Sequence, residues 1–263
     1  MPKLSHIQRI TLGGLFLALI IILTRFLSFQ NIPLIPFVRI SIGPSLIIFG
    51  SLIFGPIYGG IIGGLSDILG IVLVPNALGY GINPWFTVIY TLLGVFPWCV
   101  YKLIKLIKNE KILYILSVSL MASLAVFLTV FLGIVSDFTL FGKDYHLDWW
   151  VKLIIVASAF VLTILTSIGL LLINKFMKKK YDTGLISIYQ ISFVSIASQL
   201  VVLLILNSIV KTVFFGTDYL IIFFSQAVVF FINVILDTFI ISLLSILVNK
   251  FFRKSNNYED EKV

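Results

Sequence analysis

Long apolar runs separated by short polar segments form the pattern of this chain. A run of about 20 apolar residues crosses the hydrocarbon core of a bilayer as one α-helix. The pattern predicts eight spans, of which the second is too short for a full crossing unless it tilts or lies against neighbouring helices. The spans are expected at residues 10–29, 44–54, 57–74, 85–106, 112–135, 149–176, 185–210 and 219–248. The predicted fold class is therefore an all-α polytopic membrane protein.

Residues 38–70 are apolar enough for lipid but carry glycine, proline and one carboxylate. Gly55-Pro56 marks a break between two spans, because proline inside a helix removes a backbone hydrogen bond. The pairs Gly59-Gly60 and Gly63-Gly64 recur on one helix face, which lets another backbone approach closely. Asp67 continues this series, and a carboxylate at membrane depth costs about 2.5–3.5 kcal/mol on insertion scales. Asp67 must therefore face a partner or a wet cavity.

Composition supports the membrane class and excludes several others. Hydrophobic residues make up 60% of the chain and charged residues 11%, which is outside the range of soluble globular domains. The formal charge of +8 does not indicate nucleic-acid binding, because the basic residues lie in short clusters between apolar runs. The single cysteine, Cys99, excludes an intrachain disulfide, and no Cys or His cluster has the spacing of a metal site.

The basic residues also predict the orientation of the spans. One set of connections is rich in Lys and Arg, which places it in the cytoplasm together with both chain termini. These residues are Lys3, Arg9, Lys102, Lys105, Lys108, Lys111, Lys175, Lys178, Lys179, Lys180, Lys250, Arg253, Lys254 and Lys262. We expect the ligand chemistry on the opposite, outer side.

The second half of the chain contains a short repeat at offsets of 74 and 75 residues. Residues 141–145 (FGKDY) recur as 215–219 (FGTDY), and residues 173–176 (INKF) recur as 248–251 (VNKF). Either two helical hairpins are related by duplication, or the similarity reflects biased composition. The predicted plan is an N-terminal core at 1–110, hairpin copies at 111–180 and 181–254, and a cytoplasmic tail at 255–263.

Three motifs resemble those of the substrate-binding S components of energy-coupling factor vitamin transporters, most closely the folate-type branch. The motifs are RISIGP from Arg39, FGPIYGGIIGGLSDILG from Phe54 and PWFT from Pro84. The glycine-rich motif is typical of S components for several vitamins, whereas the other two favour folate. The chain departs from the family in two ways, since Trp85 replaces the glycine of PGFT and the family has six spans rather than eight. Either hairpin of the repeat is a candidate for the last pair of the six-helix core, and the other is then an added, duplicated hairpin.

The resemblance implies a vitamin-binding subunit that works with a separate transmembrane subunit and two cytoplasmic ATPase subunits. Gly14 and Ala18 form a small-residue face on the first span, and in S components such a face docks on the transmembrane subunit. Packing inside the chain is the alternative role for this face. The chain itself has no P-loop, because Gly142-Lys143 lacks the other residues of that motif. No cofactor, metal ion or catalytic residue is expected.

Candidate substrate-binding residues lie mainly on two outer connections. A folate-like ligand presents a flat pterin and carboxylates, so its site needs aromatic rings, amide or hydroxyl groups and a cation. Arg39 is the candidate cation for a carboxylate, and Lys152 is a second candidate cation. Tyr80 and Trp85 are the candidate stacking rings. Asn83 and Thr87 are the candidates for hydrogen bonds to the edge of the pterin. Each candidate has an alternative role. The two rings could anchor the chain at the membrane interface, and Lys152 could extend its side chain to the membrane surface. Arg39 could be a charge on a loop or could pair with Asp67.

The last span carries a polar face inside an apolar helix. Gln226, Asn233 and Asp237 stand at i, i+7 and i+11 and must point into the protein. These side chains either line the ligand cavity or form a polar seam against Gln199 and Asn207 of the preceding span.

The sequence therefore predicts the membrane-embedded vitamin-binding subunit of an energy-coupling factor importer, with folate or a related pterin as its ligand. Another vitamin or precursor, such as riboflavin or a deazapurine, is the alternative within transport. An intramembrane enzyme is the alternative from another class. It would need convergent catalytic groups, and the intramembrane acids Asp67 and Asp237 lie on spans far apart in sequence.

Overall fold

The computed structural model describes residues 6–26, 28–32, 35–73, 83–107, 109–134, 137–140, 143–146, 148–180 and 186–260. Within these residues, seven helices are long and apolar enough to cross a membrane. The shorter apolar helix Gly43–Phe54 corresponds to the short second segment of the prediction. The predicted all-α membrane fold is confirmed.

The helices of the described residues are numbered in chain order. They are α1 (His6–Phe26), α2 (Gly43–Phe54), α3 (Pro56–Leu73), α4 (Pro84–Ile104), α5 (Glu110–Ile134), α6 (Trp149–Lys180), α7 (Ile188–Ser198), α8 (Asn207–Phe215) and α9 (Tyr219–Asp260). A π-helical segment, Gln199–Leu206, joins α7 to α8, so that Ile188–Phe215 forms one span. We call α5–α6 the first helical hairpin, and α7–α9 with the π-helical segment the second helical hairpin.

Two β-hairpins that the apolar pattern did not predict follow α1 and α5. β1 (Ser28–Ile32) pairs antiparallel with β2 (Ile35–Ser41), and β3 (Asp137–Leu140) pairs antiparallel with β4 (Lys143–His146). The prediction that the first span continues to residue 29 was therefore wrong. The prolines at 33 and 36 favour extended backbone in the residues that precede them, which is incompatible with a continuing helix.

Two further boundaries differ from the prediction. The seventh span continues past residue 210 to Phe215 and ends at Gly216, which has the left-handed φ of 61° common after helices. Helix α9 continues to Asp260 through residues 255–260, which were predicted as a tail without periodic structure. A helix that is already nucleated gains one backbone hydrogen bond for each added residue, which favours this extension.

The short helix α2 lies in the interior of the bundle. Every residue of α2 except Ile53 is buried, and Ile48 and Leu52 are completely inaccessible. α2 packs on α1, α3, α4 and α9. A helix of this length leaves polar chain ends at membrane depth, and surrounding it with protein rather than lipid resolves that problem.

Helices α3 and α4 pack so closely that their backbones touch. A methyl group at Gly59 would overlap the carbonyl oxygen of Gly94, and a methyl group at Gly94 would overlap the backbone of Gly59. One turn along, a methyl group at Gly63 would overlap the carbonyl oxygen of Tyr90. The prediction that the glycine face of α3 admits another backbone is confirmed, and α4 is the helix that occupies it.

Two large apolar clusters hold the bundle together. The first joins α1–α4 to the second helical hairpin and also takes in Leu113 at the start of α5. Its buried members include Ile20, Leu52, Leu93, Val194 and Ile241. The other joins the two helical hairpins to each other, and its buried members include Met121, Ala125, Leu170, Phe230 and Phe231. The second helical hairpin therefore contributes to both clusters.

The close contact of α3 and α4 makes Gly59 sensitive to the smallest substitution. We expect Gly59→Ala to destabilise the detergent-solubilised protein by about 1–3 kcal/mol, because the added methyl group forces the two backbones apart. Gly133→Ala is the matched control, since a methyl group at Gly133 on α5 meets no atom within 4 Å among the described residues. Thermal unfolding in detergent measures both effects, and equal melting temperatures for the two variants would contradict the prediction.

Candidate functional site

Several elements converge at one end of the bundle, where α1 passes into β1. We call this end the β-hairpin end. Helix α4 begins here next to the last turns of α3, because Thr87 of α4 contacts Asp67 of α3. Helix α8 ends here, since Phe214 packs edge-on against Phe86 with ring centroids 5.6 Å apart. Strand β2 packs against α9, which closes the group.

The first β-hairpin brings the backbone of Arg39 to this end. Arg39 on β2 pairs with Gln30 on β1 in the antiparallel register, which becomes irregular between Gln30 and Ile32. The side chain of Arg39 and the whole of Tyr80 lie outside the described residues. Contact of either residue with a ligand, and pairing of Arg39 with Asp67, stay predictions.

The first turn of α4 carries three of the predicted site residues. The side-chain oxygen of Asn83 accepts a hydrogen bond from the backbone N–H of Trp85 at 3.0 Å, so Asn83 is the N-cap of α4. The indole of Trp85 is 65% exposed. The structure thus gives Asn83 a capping contact that the sequence prediction did not include, and it leaves the Trp85 ring accessible for stacking.

Asp67 lies on the glycine face of α3 and finds its partner on α4. The Thr87 hydroxyl donates a hydrogen bond to Asp67 Oδ2 at 2.9 Å. The backbones of α3 and α4 are in contact at Gly63, and Asp67 stands one turn beyond it on α3. This close packing places Thr87 within hydrogen-bond distance of Asp67. The intramembrane carboxylate is therefore satisfied in part between α3 and α4.

Lys152 lies apart from these residues. Lys152 is in the first turn of α6, and its backbone N–H donates to the carbonyl oxygen of Asp148 at 3.2 Å. Helix α6 packs mainly on α5 and α9. The structure therefore groups Lys152 with the first helical hairpin rather than with Trp85 and Thr87.

Below the β-hairpin end, α8 and α9 share a cluster of amide and hydroxyl groups. Asn207 Nδ2 donates to Gln226 Oε1 at 3.1 Å, and Gln226 Nε2 donates to the Ser208 hydroxyl at 2.8 Å. Ser208 is completely buried. These hydrogen bonds have the geometry of a polar seam between the last two spans, with both ends of the Gln226 amide used.

A second polar cluster lies deeper in the bundle around Asp237, which is 1% exposed. The Ser45 hydroxyl of α2 donates to Asp237 Oδ1, and Gln199 Nε2 donates to Asp237 Oδ2, both at 2.5 Å. Asp237 is eleven residues from Gln226 on α9, or about 16 Å along the helix. The buried Oδ1 atom of Asn233, which stands between the two clusters, has no hydrogen-bond partner within the described part of the chain.

A separate cavity of about 330 Å³ opens between the two helical hairpins. It is lined by α5, the π-helical segment and the start of α9, with Phe127, Phe131, Tyr219 and Phe223 among its residues. The lining is almost wholly apolar, so this cavity lacks the donors and acceptors that the edge of a pterin requires.

The two small residues of α1 face away from the bundle. Gly14 and Ala18 are exposed, and a methyl group at Gly14 would meet no atom within 4 Å among the described residues. The neighbouring Gly13 is buried and faces Ile62 of α3. Helix α1 thus packs on the protein with one side and presents its small-residue face on the other.

Sequence reasoning did not single out Ser45 or Lys211 as site residues. Ser45 is 192 residues from Asp237 and lies in a short apolar helix, so no periodic signal marks it as a partner. Lys211 had a usable signal, because it stands at i+4 from Asn207 and three residues before Phe214 on α8. This spacing puts the three side chains on one face of the helix.

The chain is similar to known proteins. The family described as "ECF-type riboflavin transporter, S component" matches residues 4–183. The protein named "Folate transporter FolT" from Clostridium novyi (strain NT) is 37% identical over 67 residues, which are 26% of this chain and 35% of that protein. This chain thus covers about a third of the length of that relative. No solved structure matches the chain.

The hydrogen bonds of Asp237 make Ser45 a test of the deeper cluster. We expect Ser45→Ala to destabilise the protein by about 1–3 kcal/mol, because the buried carboxyl group loses a donor that water cannot replace. The control is Ser119→Ala, which removes an exposed hydroxyl that bonds only its own helix, at Leu116. Thermal unfolding in detergent compares the two variants, and an effect of Ser45→Ala no larger than that of the control would contradict the assignment.

Proposed function

The chain belongs to the ECF-type riboflavin transporter S-component family, and on this premise we propose that it is the substrate-binding subunit of an energy-coupling factor importer whose ligand is folate or a related pterin. The observation that carries the folate assignment is the 37% identity to a protein named as a folate transporter. The exposed indole of Trp85 at the start of α4 supports it, because a flat heterocycle needs an aromatic surface on which to stack.

We assign the ligand to the β-hairpin end of the bundle. Trp85 offers a stacking surface, and β2 carries Arg39 to the same end, where a guanidinium can bind a carboxylate in bidentate fashion. Tyr80 is assigned as a second ring. Asn83 and Thr87 have other hydrogen bonds, to the Trp85 backbone and to Asp67, and we assign them to positioning the start of α4.

Riboflavin is the second candidate ligand, because the family that matches residues 4–183 is described by that vitamin. Its isoalloxazine ring also stacks on aromatic side chains, but riboflavin has no carboxylate groups. A cation at the site therefore favours folate over riboflavin, and the two ligands can be separated by direct binding.

Transport is proposed to draw its energy from other subunits. The sequence has no P-loop, so the proposed partners are a transmembrane coupling subunit and two cytoplasmic ATPases. Both chain termini are proposed to be cytoplasmic, and the lysine-rich connections support this orientation through the positive-inside rule. The protein is then a multi-pass component of the cell membrane that binds ligand from outside.

The exposed face of α1 is proposed as the docking surface for the coupling subunit. His6 and Arg9 fix the start of α1 to Tyr58 of α3, by a hydrogen bond of 3.0 Å and by a cation–π contact at 5.9 Å. Gly14 and Ala18 remain exposed on the other side of α1. Small residues spaced by one turn let a second helix approach closely, which suits a partner that must bind within the bilayer.

The ligand assignment predicts binding by the isolated protein. We expect folate to quench the tryptophan fluorescence of the detergent-solubilised chain in a saturable manner. Trp85→Ala should weaken binding by about 1–3 kcal/mol, as for an aromatic anchor residue. Trp149→Ala is the control, because Trp149 is also exposed but lies on the first helical hairpin. Saturable binding of riboflavin without binding of folate would overturn the folate assignment.

The docking assignment predicts a separate effect. Gly14→Leu should abolish co-purification with the coupling subunit and its ATPases, because a branched side chain keeps the partner helix away. Ligand binding by the isolated variant should persist, since the proposed site is at the other end of α1. Gly133→Leu controls for added bulk on an exposed helix face. If Gly14→Leu retains the partners, or if it abolishes ligand binding and folding, the docking role is wrong.

A further inference from the structure

The two helical hairpins occupy different places relative to α1–α4. Helix α7 packs on α4, and α9 packs on α2 and β2. The main contacts of α5 and α6 are instead with each other and with α7 and α9. Helix α6 is correspondingly little covered, with 22% of its central residues buried against 56% for α9. The second helical hairpin thus lies between the N-terminal helices and the first helical hairpin.

The helix bounds of the two hairpins let the sequence repeat be followed through both of them. At an offset of 75 residues, identical residues recur within α5 and α7 and within α6 and α9. The identical pairs include Tyr114 and Tyr189, Ser117 and Ser192, Ser123 and Ser198, Thr163 and Thr238, and Ser167 and Ser242. Each residue of one hairpin can therefore be compared with its counterpart in the other.

Residues of the second helical hairpin and their counterparts in the first differ in how much of their surface is buried. Ile191, Val194 and Val202 of the second helical hairpin are completely buried in the cluster that includes α1–α4. Their counterparts on α5 are exposed, with Leu116 36% and Phe127 52% accessible. The face that the second hairpin buries against the N-terminal helices is thus turned outward in the first hairpin.

The counterparts also differ in chemistry. Gln199, Asn207 and Asp237 form the polar clusters of the second helical hairpin. At the same offset the first helical hairpin has leucine at all three positions, namely Leu124, Leu132 and Leu162. At these three positions, only the second hairpin carries amide or carboxyl groups.

Lys211 supplies a charge where the second hairpin meets α4. Asn207, Lys211 and Phe214 lie on one face of α8 by their spacing. The two outer members of this face contact Gln226 of α9 and Phe86 of α4, respectively. Lys211 therefore stands between α4 and α9 at the β-hairpin end, close to the turn that carries Trp85.

We infer that the second helical hairpin, rather than the first hairpin included in the family match, forms the wall of the substrate site and supplies Lys211 as a carboxylate-binding residue. The inference rests on the proposed vitamin-binding function for its ligand. It assigns the first helical hairpin to the outside of the site, together with Lys152. The family match over residues 4–183 includes the first hairpin. Under this inference that match reflects the sequence similarity of the two hairpins and not the position of the site.

A cross-linking experiment tests the placement without any ligand. In a full-length Cys99→Ala background, the pair Phe86→Cys and Phe214→Cys is treated with a short bifunctional thiol reagent. The matched control pairs Phe86→Cys with Leu140→Cys, because Leu140 is the counterpart of Phe214 in the register of residues 141–145. We expect an intramolecular cross-link for the first pair and none for the control. A cross-link in the control pair alone would overturn the inference.

A binding experiment tests the role of Lys211. We expect Lys211→Ala to weaken folate binding by at least about tenfold, and Lys152→Ala to change it by less than about twofold. 6-Hydroxymethylpterin, which has the pterin ring but no carboxylate, separates charge recognition from structural damage. Lys211→Ala should leave the affinity for 6-hydroxymethylpterin nearly unchanged, whereas general damage would weaken both ligands equally. Equal loss of both ligands, or no loss of folate, would overturn the role of Lys211.

The proposed ligand and the proposed position of the second helical hairpin can be disproved separately. Failure of the unsubstituted chain to bind folate would contradict the proposed ligand, whereas the cross-link would still decide which hairpin adjoins α4. Folate binding combined with a cross-link only at Leu140 would keep the proposed function and reject the hairpin assignment.

Discussion

Backbone contact between α3 and α4 is the constraint on which the proposed site depends. Gly59 and Gly94 let the two helices touch, and the same face continues through Gly63 to Asp67. Since the helices are antiparallel, this contact brings the first turn of α4 against the last turns of α3. The hydrogen bond from Thr87 to Asp67 and the position of Trp85 follow from that approach. A larger residue in the glycine face would move the β-hairpin end, where the ligand site is proposed, as well as the helices.

The two polar clusters inside the bundle connect different spans. Asp237 receives hydrogen bonds from α2 and from the start of the π-helical segment, and Gln226 joins α8 to α9. The hydrocarbon core offers these groups no water as a hydrogen-bond partner, so the helices that carry them must pack in the arrangement that pairs these groups. The apolar clusters supply contact area, whereas the polar contacts select which faces meet.

The sequence pattern predicted the features that depend on residues close together in the sequence. The apolar runs located the helices, and the glycine spacing on α3 indicated a close helix contact. The spacing of Gln226 and Asp237 indicated an inward polar face, but Ser45 could not be found because it lies far away in sequence. The β-hairpins were missed because their strands are only four to seven residues long, and the capping hydrogen bond of Asn83 was missed because it depends on where α4 begins. Pairing partners of this kind are set by the fold as a whole.

The two similar hairpins also impose an order on synthesis. A ribosome adds about 5–20 residues per second, so counterparts 75 residues apart emerge roughly 4–15 s apart. During that interval the first helical hairpin has been synthesised and the second has not. Leu162 offers Ser45 no acceptor, whereas Asp237, its later counterpart, does. The hydrogen bond that joins α2 to α9 therefore forms only after the late hairpin has been synthesised.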